Sequence, residues 1–444
     1  MAPARAFVLL SRGCACVRYI HICCEWNFLH GACVDYKIFD KVDEYSVFKN
    51  KWLLDVSYVP DDLVSRIREE EYFAQVLTRG VREGFLPPMV RVFGRPGSGK
   101  TVVVCNVLGR FEEYVGGGFR YFYANLKGNR TVFSACNAVL SSISGKRVPS
   151  NFGLDRVFSE IWGQISELKG AGVSFFCLVL DEVDSVFLDK HYDPSDFFYR
   201  FLRYRLYLDD DIKLCLVVIT NNLRVLEENL DARVRSSMGS ESIFFPPYSA
   251  EALRSILSSR LGDAFKVGMV EDGVVEYCSE LVAGSTGDAR KAIDLLRVSG
   301  EVANELNGLV TLDCVKTAFE RVERDWVQEE IRELPLNPAI ILGVITALSV
   351  HMETVTFSDL YRAYQKGDVI DLTAKSSVRV LSERSVLDLV NELETVGLIS
   401  TWNVSRGRHG RRKEIKLNRD PESVLIYFEK EGKYNFSVEK LHIK

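Results

Sequence analysis

No apolar run in this chain approaches the ~20 residues that a membrane span needs. The longest apolar-rich stretch, Ala339 to Val350, is shorter, is interrupted by Gly343 and Thr346, and reads as a buried helix. A secretory leader is a poor reading too, because Arg12, Arg18 and His21 break the N-terminal apolar stretch. No C-x-x-C pair occurs among the eleven cysteines. Outside the N-terminal region they sit singly in apolar runs, as Cys105, Cys177 and Cys215 do. That argues against a disulfide framework and for reduced core thiols in a cytosolic protein. Nor is there an excess of positive charge: the formal net charge is −5, so any nucleic-acid surface has to be a local patch. What is present is ordinary for a globular chain. Hydrophobic residues make up 47% and charged residues 26%, enough for a real core. A length of 444 residues suggests two or three domains.

The stretch Gly94-Arg95-Pro96-Gly97-Ser98-Gly99-Lys100-Thr101 fits the phosphate-binding pattern G-x-x-x-x-G-K-[ST] in full. Met89 to Phe93 before it reads as a strand, and Thr101 to Leu108 after it as the start of a helix. Glycines let backbone N–H groups turn inward around phosphate oxygens, and a helix N-terminus adds a positive dipole end. Lys100 supplies a point charge for the β- and γ-phosphates, and the Thr101 hydroxyl can hold Mg²⁺. The expected nucleotide contacts are therefore Gly94, Pro96, Gly97, Ser98, Gly99, Lys100, Thr101 and Val102.

Phe119 to Ala124 predicts a second strand, with helices over Asn129–Ile143 and Leu154–Lys169. Ser174 to Leu180 is a near-continuous apolar run, as in a parallel strand buried on both faces. It ends in Asp181-Glu182, where sheets of this type bind ligands. Asp181 is placed to hold Mg²⁺ and Glu182 to polarise an attacking water. Leu214 to Ile219 is another buried strand, followed by Thr220-Asn221-Asn222, and Asn221 is positioned to reach the γ-phosphate or the water. The alternation of strands and helices predicts an α/β fold with a doubly wound parallel sheet.

Upstream, Val47 to Pro60 reads as extended and aromatic. Asp61-Asp62 can cap a helix running to about Arg82, with the acid run Glu69-Glu70-Glu71 on a solvated face. Residues 1–45 stand apart. Cys14, Cys16, Cys23, Cys24 and Cys33 cluster there with His21 and His30, at spacings that fit no standard zinc pattern. They read as a loosely ordered extension, or as the product of a start codon assigned too far upstream.

Downstream, Phe245-Pro246-Pro247-Tyr248 breaks the strand–helix alternation. Helical stretches follow at Ala250–Leu261, Glu271–Ala283, Asp288–Leu306 and Leu312–Leu334, an all-α lid. Asp288 is a natural cap there, and Arg290 can fold back toward the phosphates. Beyond Pro335 and Pro338 come helix Ala339–His351, a short Thr354–Phe357 strand, and helices Ser358–Lys366 and Glu383–Val396. Leu398–Val404 and Glu414–Leu417 then form a hairpin, and this order is a winged helix. The hairpin tip, Ser405 to Lys413, carries Arg406, Arg408, Arg411, Arg412 and Lys413. Such a tip can follow a phosphate backbone or enter a minor groove. The preceding helix carries Asp388, Glu392 and Glu394, so DNA affinity is expected to come more from the wing than from that helix.

Taken in order, these motifs resemble an archaeal DNA replication initiator of the origin-recognition-complex/cell-division-cycle family, a branch of the AAA+ ATPases. The resemblance runs from about Val47 to about Phe428. It rests on Tyr58-Val59-Pro60, the phosphate loop, Asp181-Glu182-Val183-Asp184, Ile219-Thr220-Asn221-Asn222, and Leu230 to Ser237. Phe245-Pro246-Pro247-Tyr248, Gly287-Asp288-Ala289-Arg290-Lys291-Ala292 and Ser405-Arg406-Gly407-Arg408 complete it. It implies that Lys100, Thr101, Asp181 and Glu182 are the Walker residues, that Asn221 and Arg290 are the two sensors, and that Tyr248 and Arg260 lie beside the nucleotide. Arg233 or Arg235 would be a finger toward a neighbouring subunit's γ-phosphate. The helix near Asn129–Ile143 would be the initiator-specific insertion that touches DNA, with Lys127 and Arg130 near its start.

The domain organisation that follows is an uncertain extension at 1–45 and an AAA+ nucleotide-binding domain at 46–247. A helical lid at 248–334, a winged helix at 335–430 and a tail at 431–444 complete the chain. The implied function is ATP-dependent recognition and bending of double-stranded origin DNA, with slow Mg²⁺-dependent hydrolysis as a switch. Help in loading the replicative helicase, and contact with paralogous initiators on DNA, are implied partnerships in the cytoplasm and nucleoid of an archaeon. Two other readings stay open: an AAA+ ATPase of clamp-loader or transposition type, and a DNA-binding regulator whose ADP site is structural.

Overall fold

A computed structural model of the chain describes residues 46–60, 63–189, 191–208, 211–221, 223–306, 308–366, 381–405 and 411–431. The readings made of residues 1–45, of the Asp61-Asp62 cap, and of Arg406 and Arg408 fall outside that set.

The first part of the chain alternates helices and strands. In order these are α1 (Ile67–Glu83), β1 (Met89–Gly94), α2 (Lys100–Val115), β2 (Phe119–Asn125), α3 (Val132–Ser144), α4 (Leu154–Gly170) and β3 (Phe175–Asp181). Then come α5 (Pro194–Leu202), β4 (Lys213–Thr220), α6 (Leu223–Asn229), α7 (Ala232–Ser237) and β5 (Ser242–Phe245). The five strands form one sheet in the order β2-β3-β4-β1-β5, every pair parallel.

Period-two alternation explains why the central strands are apolar throughout. Phe176, Leu178 and Leu180 of β3 and Leu214, Leu216 and Val218 of β4 pack with α3, α4 and α5 on one face. Cys177, Val179, Cys215, Val217 and Ile219, from the alternate positions, pack with α1 and α2 on the other. The thiols of Cys105, Cys136, Cys177, Cys215, Cys278 and Cys314 are free.

Four helices follow: α8 (Ala250–Ala264), α9 (Val274–Ser285), α10 (Ala289–Glu305) and α11 (Leu312–Glu333). The segment before α1 belongs to their core rather than to the sheet. Val47, Phe48, Leu53 and Leu54 are buried with Leu257, Phe265 and Leu296. Lys51–Leu54 forms a short 3₁₀ turn, so that segment is not extended along its whole length as expected.

The C-terminal unit comprises α12 (Leu336–Ser349), β6 (Val355–Thr356), α13 (Phe357–Lys366), α14 (Glu383–Val396), β7 (Ile399–Ser405), β8 (Arg411–Leu417) and α15 (Pro421–Glu431). Its antiparallel sheet has the order β6-β8-β7. In α14, Val386, Val390 and Leu393 are fully buried against α12, and Leu389 is partly buried beside them. No helix among the described residues is long and apolar enough to cross a membrane.

Several boundaries differ from the sequence reading. Helix α1 starts at Ile67, with Arg66 as its N-cap. Its acids are not simply solvated, because Glu69 pairs with Arg66 and Glu70 with Arg110. Strand β8 starts at Arg411, not Glu414, because Ser405, Val404 and Asn403 pair with Arg411, Arg412 and Lys413. These three cations therefore lie in the strand instead of the hairpin tip. Glu394 turns inward, accepting from Thr401 N at 3.0 Å and Thr401 Oγ1 at 2.8 Å, so it is no part of a groove-facing surface. Helix α5 went unread, although Asp193 capping a Pro at the first turn was a usable signal.

Phe198 is fully buried and lies edge-on to Phe197. Phe198→Ala is expected to lower stability by about 3–5 kcal/mol through the cavity it leaves, seen as a lower urea midpoint for the α/β unit.

Candidate nucleotide-binding site

Because all five strands are parallel, the chain leaves β1, β3 and β4 at the same edge of the sheet. That edge brings together the phosphate loop after β1, Asp181-Glu182 after β3 and Asn221 after β4. A cleft is lined by these residues together with Tyr58, Val59 and Pro60 and, from the lid side, Tyr248, Arg260 and Arg290. Pro96, Gly97, Ser98, Gly99, Lys100, Thr101 and Val102 line it as well.

The loop has the geometry its glycines predict. Gly97 and Gly99 lie in the left-handed region at φ +69° and +90°, open to glycine at little cost. Gly99 caps α2 with no side-chain bond, so the first N–H groups of the helix remain directed at the cleft. The Ser98 hydroxyl is buried without a hydrogen-bond partner. An open helix N-terminus beside an orphaned hydroxyl and a lysine suits a polyphosphate.

Lys100 is 7% exposed. Its ammonium donates to Gly94 O at 2.8 Å, Arg95 O at 3.0 Å and Asn221 Oδ1 at 2.9 Å. Burial pushes its pKa down, while Glu182 and Asp181 pull it back up. Arg290 is exposed at the start of α10, close enough for its charge to depress Lys100 further.

The acids are held by a specific set of donors. Thr101 Oγ1 donates to Asp181 Oδ2 at 2.7 Å, and Tyr123 Oη donates to the same oxygen at 2.8 Å. Such hard oxygen donors suit Mg²⁺. Asn221 Nδ2 donates to Glu182 Oε2 at 3.0 Å. Asn221 thus bridges the loop lysine and the acid. Burial raises the Glu182 pKa, and the neighbouring charges of Asp181 and Asp184 add to it. Glu182 is also the only residue other than glycine with positive φ among the described residues, at +55°, a conformation that costs about 1–3 kcal/mol.

Other expected residues are placed differently. Arg260 lines the cleft, but its guanidinium donates to Leu53 O at 2.8 Å and Tyr58 O at 3.2 Å, anchoring the lead-in segment. Arg233 pairs with Asp231 at 2.6 Å and stacks over Tyr199, while Arg235 donates to Glu227 O at 3.3 Å; neither lines the cleft. Lys127 is exposed, and its charge lies near enough to Glu182 to favour the ionised carboxylate. On the hairpin, Arg412 pairs with Glu414 at 3.5 Å and Lys413 donates to Asn391 at 2.6 Å.

Three residues have roles that the sequence reading does not assign. Tyr123 orients Asp181. Asp184 accepts from Thr220 Oγ1 at 2.6 Å and Asn221 N at 3.1 Å, and so fixes Asn221. Arg66, 6% exposed, donates to Ser98 O at 3.1 Å. Asp184 had a local signal, two residues after Glu182 in a turn; the other two come from distant segments.

Asp288 caps α10, accepting from Arg290 N at 2.7 Å, and its carboxyl lies against Gly97, where a Cβ would come within 1.8 Å of it. Burial raises its pKa above the ordinary 3.8. A carboxyl that is harder to ionise when folded favours folding below 3.8 and loses that advantage as pH rises through the folded value. Asp288→Asn keeps the cap and removes the buried charge. It should therefore raise the melting temperature near neutral pH, with the gain over wild type shrinking as pH falls toward 3.8.

Two family models match the chain: the Cdc6 AAA+ ATPase-type lid domain over residues 254–320, and the CDC6 C-terminal winged helix domain over residues 329–426. The chain is 34% identical over 393 residues to ORC1-type DNA replication protein 1 of Aeropyrum pernix, covering 87% of this chain and 96% of that protein. It is 35% identical over 397 residues to ORC1-type DNA replication protein 1 of Archaeoglobus fulgidus, covering 87% and 92%. Among solved structures it is similar to the Aeropyrum pernix ORC1 protein in complex with DNA, with TM-score 0.65, 32% identity, and 87% and 97% coverage. The Aeropyrum pernix ORC2 protein in its ADPNP-ADP complexes shares the fold, with TM-score 0.63, 19% identity, and 87% and 99% coverage.

Proposed function

We propose an ATP-gated origin-binding switch: the chain belongs to the ORC1-type DNA replication protein family, a family of replication initiators with an AAA+ ATPase-type lid and a C-terminal winged helix. The observation that carries the proposal is the bridge at Asn221, one amide joining the loop lysine to the acid after β3. Lys100 binds the β- and γ-phosphates of ATP, and the N–H groups of the loop and of α2 surround them. Thr101 and Asp181 would hold Mg²⁺, which neutralises charge on the phosphate oxygens. Glu182 accepts the proton of the attacking water, and Asn221 orients that water and the γ-phosphate. Arg290 lets the lid respond to the γ-phosphate. Arg233 or Arg235 is the finger offered to a neighbouring copy, since both lie on α7 outside this chain's own cleft.

Hydrolysis is slow, as suits a switch. Nucleotide state sets how residues 46–247, the lid at 248–334 and the winged helix at 335–430 grip and bend duplex origin DNA together. The ORC1 relative solved in complex with DNA supports DNA as the ligand. Arg406 and Arg408, in the sequence between β7 and β8, with Arg411, Arg412 and Lys413 of β8, follow the phosphate backbone; Lys127 and Arg130 before α3 are the second contact. The complex bound to DNA helps load the replicative helicase and stands beside paralogous initiators, in the cytoplasm at the nucleoid.

Two measurements test this. Glu182→Gln should retain ATP binding and lower turnover by about 10²–10⁴-fold, the usual worth of a general base. Equal turnover in the two proteins would make the nucleotide structural. For DNA, Arg406→Ala with Arg408→Ala should flatten the slope of log K against log salt by about 0.9 × 2, or 1.8. An unchanged slope would remove the hairpin from the interface.

A further inference from the structure

Sheet and lid meet at one buried cation that the proposed reaction does not use. A guanidinium taken out of water is costly unless its donors are matched, and those of Arg66 are matched in three directions. Nε donates to Ser98 O, in the phosphate loop, at 3.1 Å. Nη2 donates to Pro246 O, in the linker that carries the chain from β5 into the lid. Nη1 donates to Glu69 Oε1 at 3.1 Å, within the first turn of α1. The Tyr248 ring covers its face, 4.0 Å from the guanidinium carbon. Tyr248 in turn reaches both partners. Its hydroxyl lies so close to Gly99 that a Cβ there would come within 2.3 Å, and its N–H donates to Gly287 O at 3.0 Å.

We propose that Arg66 is a positioning residue that fixes the lid against the phosphate loop, so that a shift of the loop on nucleotide binding is passed to the lid through its guanidinium. The nucleotide dependence rests on the switch reading above; the latch itself does not. Ser98 belongs to the phosphate loop, and Pro246 to the linker that leads into the lid at Tyr248, whose ring covers the same guanidinium. Displacing either one strips a hydrogen bond from a buried charge, so the parts are held to move together. The side-chain type is decisive. A planar fork can meet two carbonyls and a carboxylate at its edge while an aromatic ring covers its face; an ammonium on a flexible stem cannot hold that arrangement.

The test is native-state hydrogen exchange on the full chain, without nucleotide and with ADP or a non-hydrolysable ATP analogue. The Ala289 amide donates to Gly97 O at 3.2 Å and reports the contact between lid and loop. The Val217 amide, in the middle of β4, reports general stability. Arg66→Met and Arg66→Lys should each speed Ala289 exchange by about tenfold or more, the loss expected for a charge-assisted bond, with Val217 unchanged. The latch is overturned by wild-type exchange at Ala289 in both variants, by equal acceleration at Val217, or by full rescue with Arg66→Lys. If nucleotide slows Ala289 in no protein, the switch reading fails and the latch stands. If nucleotide slows it equally in wild type and variants, the latch fails and the switch reading stands.

Discussion

The site depends on strand direction. Five strands running the same way put their C-terminal ends at one edge of the sheet. Residues far apart in the chain, Lys100, Asp181, Glu182 and Asn221, therefore converge without any long loop to carry them. Strands β3 and β4 are apolar along nearly their whole length because helices cover both faces of the sheet. Polar chemistry is thus confined to the one edge where the chain turns out of the sheet.

That concentration of charge has to be balanced internally. Three carboxylates, Asp181, Glu182 and Asp184, lie within electrostatic reach of one another and of Lys100. Each is tied to donors: Asp181 to Thr101 and Tyr123, Asp184 to Thr220 and Asn221, Glu182 to Asn221. Neutral hydroxyls and amides, rather than cations, do this holding. The strained backbone at Glu182 belongs to the same economy, since rigid surroundings are what keep such a conformation in place.

Much of this was legible in the sequence, for a physical reason. The phosphate loop is a local device, and its spacing alone specifies a strand, a turn of glycines and a helix start. The buried strands are legible because a parallel sheet demands apolar residues at every position. Long-range contacts left no comparable trace. Arg66 reads as one more charge in Arg66-Ile67-Arg68-Glu69, and only the folded chain brings it to Ser98 and Pro246. Strand β5 has four residues with alternating burial, too short to stand out beside the prolines that follow. The start of β8 is hard to read because Arg411, Arg412 and Lys413 carry no apolar alternation, and pairing with β7 supplies the strand.

Helix α11 has its first half rooted in one core and its end in another. Cys314, Val315, Ala318 and Val322 are buried among the lid helices, and Ile331 is buried with α12 and its neighbours. A continuous helix of 22 residues is a rod of roughly 33 Å. With both ends embedded there is no slack between them. Over that length a tilt of about 10° at one end corresponds to a displacement of roughly 6 Å at the other, on the order of one helical turn.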